Sequence, residues 1–343
     1  MKWDEAFINR KATPPLCKEI FARAEKPLIS PNPNHAWESR QTFNAAAIEL
    51  KGKIHLIYRA VGGDWVSRFG YANSEDGLHI SERSPKPVYE HFTGEVSYYS
   101  YASGGSFGGA EDPRITRVGN EDRLYMTYTA VDNGLRVALT SIKIKDFLNK
   151  RWKWAKPFII SPAGEVHKNW VIFPEKINGK YAILHSISPR ISIDYVDSLD
   201  EPFLIHSYYN GKSNKGWESR VRGAGAPPIK TSKGWLLLYH AIRRNDPDQY
   251  KMGAMLLDLN DPSKEICRSK GPVLEPKTPY ETSGFKPGIV YTSGAVLRGK
   301  ELLVYYGASD NYVCLARANI DDLMKELISI NSVEGNVNVS EEM

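Results

Sequence analysis

The sequence predicts an all-β protein, a single domain over residues 1–343 folded as a five-bladed β-propeller. Three observations carry the prediction. One strand–turn–strand pattern recurs five times, at a spacing of roughly 60 residues that suits propeller blades. Long amphipathic helices are almost absent, the candidates being residues 16–24 and 321–328 near the two ends. Eight Trp and nineteen Tyr suit either large β-sheet cores or carbohydrate stacking platforms. A β-sandwich would hold as many strands, but sandwiches rarely repeat one motif so evenly.

The first copy takes residues 44–48, a Gly52-Lys53 turn and residues 56–60. The second takes 112–115 and 124–130; the third takes 171–174, a Gly179-Lys180 turn and 181–186. The fourth takes 225–229 and 234–241, and the fifth 293–297 and 302–307. A further strand follows each copy and runs into an acidic or polar turn, as at 69–77 and 252–258. Blades are therefore expected near residues 40–100, 110–160, 165–210, 220–275 and 285–325. Residues 1–35 and the polar tail 331–343 are expected to be peripheral, the tail loose or serving as an interface arm.

With 41% apolar and 25% charged residues, the chain has the composition of a globular protein. No stretch nears the roughly 20 apolar residues of a membrane span. The N-terminus, Met1-Lys2-Trp3-Asp4-Glu5, carries no apolar leader, so a cytoplasmic protein is expected. Cys17, Cys267 and Cys314 are far apart and indicate neither a zinc site nor a disulfide framework. The net charge of +5 is dispersed apart from short clusters such as Arg220-Val221-Arg222, unlike the basic stripe of a nucleic-acid binder. With no dinucleotide fingerprint, P-loop or metal-ligand spacing, neither metal nor cofactor is expected.

Residues 104–115 carry the most informative motif. Four glycines in six residues precede Glu111-Asp112-Pro113-Arg114, so a ligand can approach backbone and carboxylate alike. Pro113 cannot sit mid-ladder in a central strand, which predicts a strand entrance or a bulge. A carboxylate fixed there can act as a general acid; alternatively Asp112 and Arg114 pair with each other or cap a turn. Asn44 and Asp112 hold nearly the same place in the repeat. Arg59, Thr129, His185, His240 and Tyr306 hold another, which predicts a polar funnel where the inner strands converge.

Several segments together carry a family resemblance: Phe43-Asn44-Ala45-Ala46, Tyr58-Arg59-Ala60, Gly109-Ala110-Glu111-Asp112-Pro113-Arg114, residues 173–181, residues 223–229 and residues 305–310. Over residues 30–325 the chain resembles glycoside hydrolase family 130, the mannoside phosphorylases and mannosidases with a five-bladed propeller fold. The resemblance implies inverting attack on a β-mannoside, with Asp112 as catalytic acid, acting in several members through a sugar hydroxyl. It places Asn44, Arg59 and Asp310 at the cleaved mannosyl unit, with Glu111 and Tyr306 as further substrate-binding candidates. Inorganic phosphate, the implied co-substrate, would be held by Lys168, Arg222 and His240, with Asn169 beside them. Lys168 and Arg222 supply charge-assisted hydrogen bonds, and His240 can donate in either protonation state. Without the resemblance, both cations read as exposed charges.

The chain departs from the pattern at Ser186, where phosphorolytic members often carry an arginine after the histidine. Three of four expected basic positions are filled, which favours phosphorolysis yielding α-mannose 1-phosphate. An inverting β-mannosidase is the alternative and needs a carboxylate base. Candidates are Glu218, Glu281 and Asp194. A non-catalytic glycan-binding propeller would not need Asp112, and a furanosidase-like propeller usually has aspartate where Asn44 stands. Loops 61–68 and 90–107, with Trp65, Tyr98, Tyr99 and Tyr101, are candidate acceptor surfaces. A homo-oligomer is compatible with the resemblance.

Overall fold

The computed structural model describes residues 19–91, 105–131, 134–207 and 216–335, the last six of these by their backbone alone. The architecture is all-β, built from antiparallel units that follow one another along the chain. The first unit is β2 (Gln41–Leu50), β3 (Lys53–Val61) and β4 (Val66–Ser74), with β5 (Glu82–Arg83) on the edge of β4. The second is β6 (Gly108–Thr116), β7 (Arg123–Val131), β8 (Leu135–Lys143) and β9 (Phe158–Ile159). These two are joined in one sheet by a short parallel contact, Val66 with Gly108 and Ser67 with Gly109.

The third unit is β10 (Val171–Ile172), β11 (Tyr181–Ser186) and β12 (Ser192–Val196). The fourth is β13 (Arg220–Ala224), β15 (Gly234–Arg243), β16 (Asp246–Leu257) and β17 (Glu265–Arg268), with β14 (Ile229–Thr231) also on β15. The fifth is β18 (Val290–Arg298), β19 (Glu301–Ala308) and β20 (Tyr312–Asn319). Its outer edge is completed by β1 (Ala22–Arg23) from the other end of the chain, Ala22 pairing with Arg317 and Arg23 with Ala316.

Alternation explains how these sheets pack. Successive residues of a strand face opposite sides, and here both sides are apolar. On β7, Leu124, Met126, Tyr128 and Ala130 face a cluster shared with the first unit, which includes Ile57 and Phe69. Tyr125 faces the other way, into a cluster shared with Ile172 and Ile183 of the third unit. The same holds around the molecule. One cluster joins the third and fourth units through Leu184 and Leu237, another joins the fourth and fifth through Leu238 and Val304. A fifth joins the last unit to the first, with Tyr305 and Leu303 against Leu56 and Ala45.

Two expectations fail near the termini. Residues 22–23 are strand, not part of a helix over 16–24, because the last sheet offers them an unpaired edge. Residues 16–18 lie outside the described residues. At the other end a helix, Ile320–Gly335, outruns the expected 321–328 and takes in the start of the tail expected to be loose or an interface arm. Leu323, Met324 and Leu327 bury one stripe of it against the cluster of the fourth and fifth units. Among the described residues, no helix is long and apolar enough to cross a membrane.

Candidate active site

Breaks in the strand ladders build the site. Register shifts interrupt β2 between Phe43 and Ala46, β6 between Glu111 and Arg114, and β13 between Val221 and Gly223. Asn44, Asp112 and Arg222 fall in these gaps. A bulge leaves a residue unpaired and re-aims its side chain. Asn44 (φ 47°), Asp112 (φ 52°) and Asn169 (φ 64°) lie in the left-handed region, which Asn and Asp enter far more readily than branched residues. The Asp112-Pro113 step is thus a bulge, where a missing N–H breaks no ladder bond.

The bulged side chains open on one cleft of about 560 Å³. Asn44, Arg59, Asp112, Lys168, Asn169, Arg222 and Asp310 line it, as do Phe43, Arg220, Tyr250, Lys286 and Tyr291. Asp112 Oδ1 accepts from Asn44 Nδ2 at 2.7 Å and from Arg59 Nη1 at 3.2 Å. Arg59, buried beside the Phe43 ring, also donates to Glu111 Oε1 at 2.9 Å and to Ser67 Oγ at 2.8 Å. Lys168 Nζ reaches Glu111 Oε2 at 3.4 Å.

Burial alone would raise the Asp112 pKa, but Arg59, Lys168 and Arg114 together overcome it and hold the carboxyl well below the ordinary range. Asp310 moves the other way: burial raises it, and Lys286 and Arg59 only partly oppose the shift. Lys286 is lowered by burial, with Asp310 opposing. The cleft therefore holds an ionised Asp112, a second carboxyl beside Lys286, and further cations in Lys168 and Arg222.

Six expected site residues sit elsewhere. Tyr306 is in the core of the last unit, its hydroxyl donating to Glu281 Oε1 at 2.7 Å, so it cannot meet a sugar. Glu281 is wholly buried: it accepts from Arg23 Nε at 2.9 Å and from the backbone N–H groups of Lys277 and Thr278. Glu218 accepts from the Tyr239 hydroxyl and from Arg268. Glu111 is fully buried behind the cleft, its oxygens taken by Arg59, Ser106 and Lys168, so it organises cations and does not touch substrate. His240 is fully buried and stacked on Tyr291 at 3.9 Å. Its Nε2 donates to the Thr292 carbonyl at 2.7 Å, and burial with Arg114 nearby lowers its pKa to about 3. The neutral ring then has no proton left on Nδ1 to offer an anion. Asp194, the third candidate base, pairs with His185 Nε2 at 2.8 Å.

Sequence reasoning missed Lys286 and Tyr291. Lys286 lies in an irregular loop hooked to the Asp310 turn through Lys286 N–H to Ser309 O at 2.8 Å, and no periodicity marks it. Tyr291 carried a signal: Tyr291-Thr292-Ser293 is a polar run at the entrance of an otherwise apolar strand. Of the aromatics proposed for acceptor loops, Trp65 sits tilted against Phe285 and under Arg40, whereas Tyr98, Tyr99 and Tyr101 lie outside the described residues. No group of three or more His, Cys, Asp or Glu among the described residues is arranged to hold a metal ion.

A carboxyl gripped by amide and guanidinium, with Lys168 and Arg222 lining the same cleft, can serve acid chemistry beside a bound anion. The comparisons with known proteins agree. A family model described as beta-1,4-mannooligosaccharide phosphorylase matches residues 9–328. A 1,2-beta-oligomannan phosphorylase of Thermoanaerobacter sp. (strain X514) is 36% identical over 88% of this chain and 97% of its own length. A beta-1,2-mannobiose phosphorylase of the same organism is 37% identical over 85% and 95%. Among solved structures, the beta-1,2-mannobiose phosphorylase of Listeria innocua, in complex with beta-1,2-mannobiose, aligns with a TM-score of 0.71. That alignment covers 90% of this chain and 99% of the other, at 28% identity. The chain belongs to glycoside hydrolase family 130.

Proposed function

We propose that the chain is an inverting phosphorylase of β-1,2-linked mannosides, which passes a mannosyl unit to inorganic phosphate and releases α-mannose 1-phosphate. The observation that carries this reading is the pairing, in one cleft, of Asp112 with Lys168 and Arg222, while Glu218, Glu281 and Asp194 are engaged elsewhere. Phosphate is already a nucleophile and needs cations to hold it; water would need a carboxylate base on the far face of the sugar. The β-1,2 linkage follows the relatives at 36% and 37% identity, and a relative named for β-1,4 linkages is 26% identical.

In this reading Asn44, Arg59 and Asp310 hold the cleaved mannosyl unit, and Asp112 delivers a proton to the leaving oxygen, directly or through a sugar hydroxyl. Phosphate attacks the anomeric carbon from the opposite face, so the β bond breaks as the α bond forms. A phosphate dianion held by Lys168 and Arg222 also offsets the cations that keep Asp112 ionised. Its arrival raises the carboxyl toward the protonated form that an acid requires. No cofactor enters this scheme beyond phosphate.

The same reading takes the fold as one five-bladed propeller domain. Its support is the sequence of five units with five apolar clusters between neighbours, the fifth unit meeting the first. The deciding experiment is turnover of β-1,2- and β-1,4-mannobiose with and without phosphate, following mannose and mannose 1-phosphate separately. Phosphate-dependent mannose 1-phosphate from the β-1,2 substrate is expected. Free mannose at an equal rate without phosphate would overturn the reading in favour of a hydrolase.

A further inference from the structure

Arg114 belongs to the acid motif yet lies behind the cleft, 2% exposed, and its donors reach four different units. Within its own strand, Nη1 donates to the Asp112 carbonyl at 2.7 Å, so the pairing is with backbone and not with the carboxylate. Nη2 donates to Asn169 Oδ1 at 2.9 Å and lies 3.3 Å from the Tyr291 hydroxyl, while Nε donates to the Gly225 carbonyl at 3.1 Å. The Tyr291 hydroxyl in turn donates to the same Asn169 oxygen. Asn169 completes the line: its Nδ2 donates to the Arg222 carbonyl at 2.9 Å.

We propose that Arg114 is a positioning residue that locks the bulge carrying Asp112 to the bulge carrying Arg222, with Asn169 as the splint between them. The inference rests on the phosphorylase reading, in which one bulge supplies the acid and the other a phosphate-holding cation. Each bulge is a break in a ladder, so its backbone has lost the bonds that would otherwise fix it. The side chains of Arg114 and Asn169 take the place of those bonds, Arg114 at the Asp112 carbonyl and Asn169 at the Arg222 carbonyl. The geometry also explains two residue types. Only a guanidinium fork sends parallel donors to carbonyls on several strands, which a lysine ammonium on a flexible stem does not reproduce. A side chain at Gly223 (φ 124°) would put its Cβ 2.9 Å from Asn169 Cβ, so glycine there makes room for the splint.

The consequence is that phosphate affinity depends on a residue outside the cleft. The test is steady-state phosphorolysis of β-1,2-mannobiose by the full chain carrying Arg114→Lys, Arg222→Ala and both. Arg114→Lys is expected to raise the KM for phosphate roughly tenfold while moving the KM for mannobiose about twofold or less. In the Arg222→Ala background, which itself raises the KM for phosphate, Arg114→Lys should add little, because the group it positions is gone. An unchanged KM for phosphate in Arg114→Lys overturns the proposal. So does an equal penalty in both backgrounds, or a parallel rise in both KM values with a fallen Tm, the mark of general loosening.

Should Arg114→Lys fail to fold, Tyr291→Phe removes the second donor to Asn169 and one acceptor of Arg114 Nη2. It is then expected to raise the KM for phosphate about threefold, again with little further effect when Arg222 is absent. No change in that variant overturns the proposal equally. Failure of the underlying reading looks different: wild-type turnover would proceed without phosphate, or Arg222→Ala alone would leave phosphate dependence untouched.

Discussion

Asp112 is the residue on which the chemistry turns, and its surroundings set a condition on it. Arg59 and Asn44 bond one carboxylate oxygen and favour the charged form, so the ligand-free carboxyl is ionised at neutral pH. Asp112→Asn keeps the shape and most of the contacts but removes the proton. Turnover is expected to fall by roughly 100- to 10,000-fold, the usual share of a general acid, with Tm near that of the parent. Near-normal turnover would remove Asp112 from that role. At this scale the sequence was most legible at Asn44 and Asp112, which share a place in the repeat and line one cleft, whereas Arg222 was marked by the family resemblance alone. It misled at His240 and Tyr306. Both share a repeat position with Arg59, but a strand register says nothing about which polar group finds a partner inside. Lys286 was invisible for the opposite reason, since its loop has no pattern at all.

At the level of elements, the site depends on how closely β2 and β19 approach. Gly307 on β19 lies against Asn44: a Cβ there would come within 1.9 Å of Asn44 Oδ1 and 2.9 Å of its backbone N. Gly307→Ala is therefore expected to displace Asn44 and weaken mannoside turnover, at a stability cost of about 1–3 kcal/mol. Kinetics on β-1,2-mannobiose together with a denaturant titration would check both; parental values in each would show that the strands can part freely. The buried Glu281 belongs to the short helix Pro279–Thr282, where its Oε2 accepts from the Thr278 N–H and its Oε1 from Arg23 of β1. Burial pushes its pKa up, but the backbone donors, Tyr306 and Arg23 outweigh this and depress it. A depressed carboxyl stabilises the fold above its unfolded pKa of about 4.3, and that contribution fades as pH falls below it. Glu281→Gln should thus cost about 3 kcal/mol at pH 7, and the gap from the parent should narrow below about pH 4. A gap independent of pH would mean that the charge of Glu281 contributes nothing. Neither expectation was available from sequence, which marked Glu281 as a base because carboxylates in loops near a site look alike until their partners are known.

Across the whole molecule, the repeat of short apolar strands was enough to foresee an all-β chain of successive antiparallel strands, because a period survives the loss of individual contacts. The sequence did not reveal that β1 joins the last sheet. Two residues of strand, Ala22 and Arg23, have no pattern of their own, and their pairing is decided by an edge that lies far along the chain. Phe21 is buried beside them in the cluster between the fourth and fifth units, and Arg23 reaches Glu281 and the Glu275 carbonyl. Removing residues 1–24 is expected to lower stability by about 4 kcal/mol or more, through the lost aromatic and the orphaned carboxylate. A truncated chain with parental Tm would show that the last sheet holds without its borrowed strand.

That borrowed strand also orders events in time. On a ribosome β1 is made long before its partner β20, with β2 to β19 between them. The last sheet therefore stays incomplete until β20 has emerged, and the earlier segment must wait unpaired. Contacts of such long sequence separation slow folding, because the loop between them must close before the pair is rewarded. Chains cut short during synthesis have no way to finish the structure, and they present an open sheet edge to proteases and to one another.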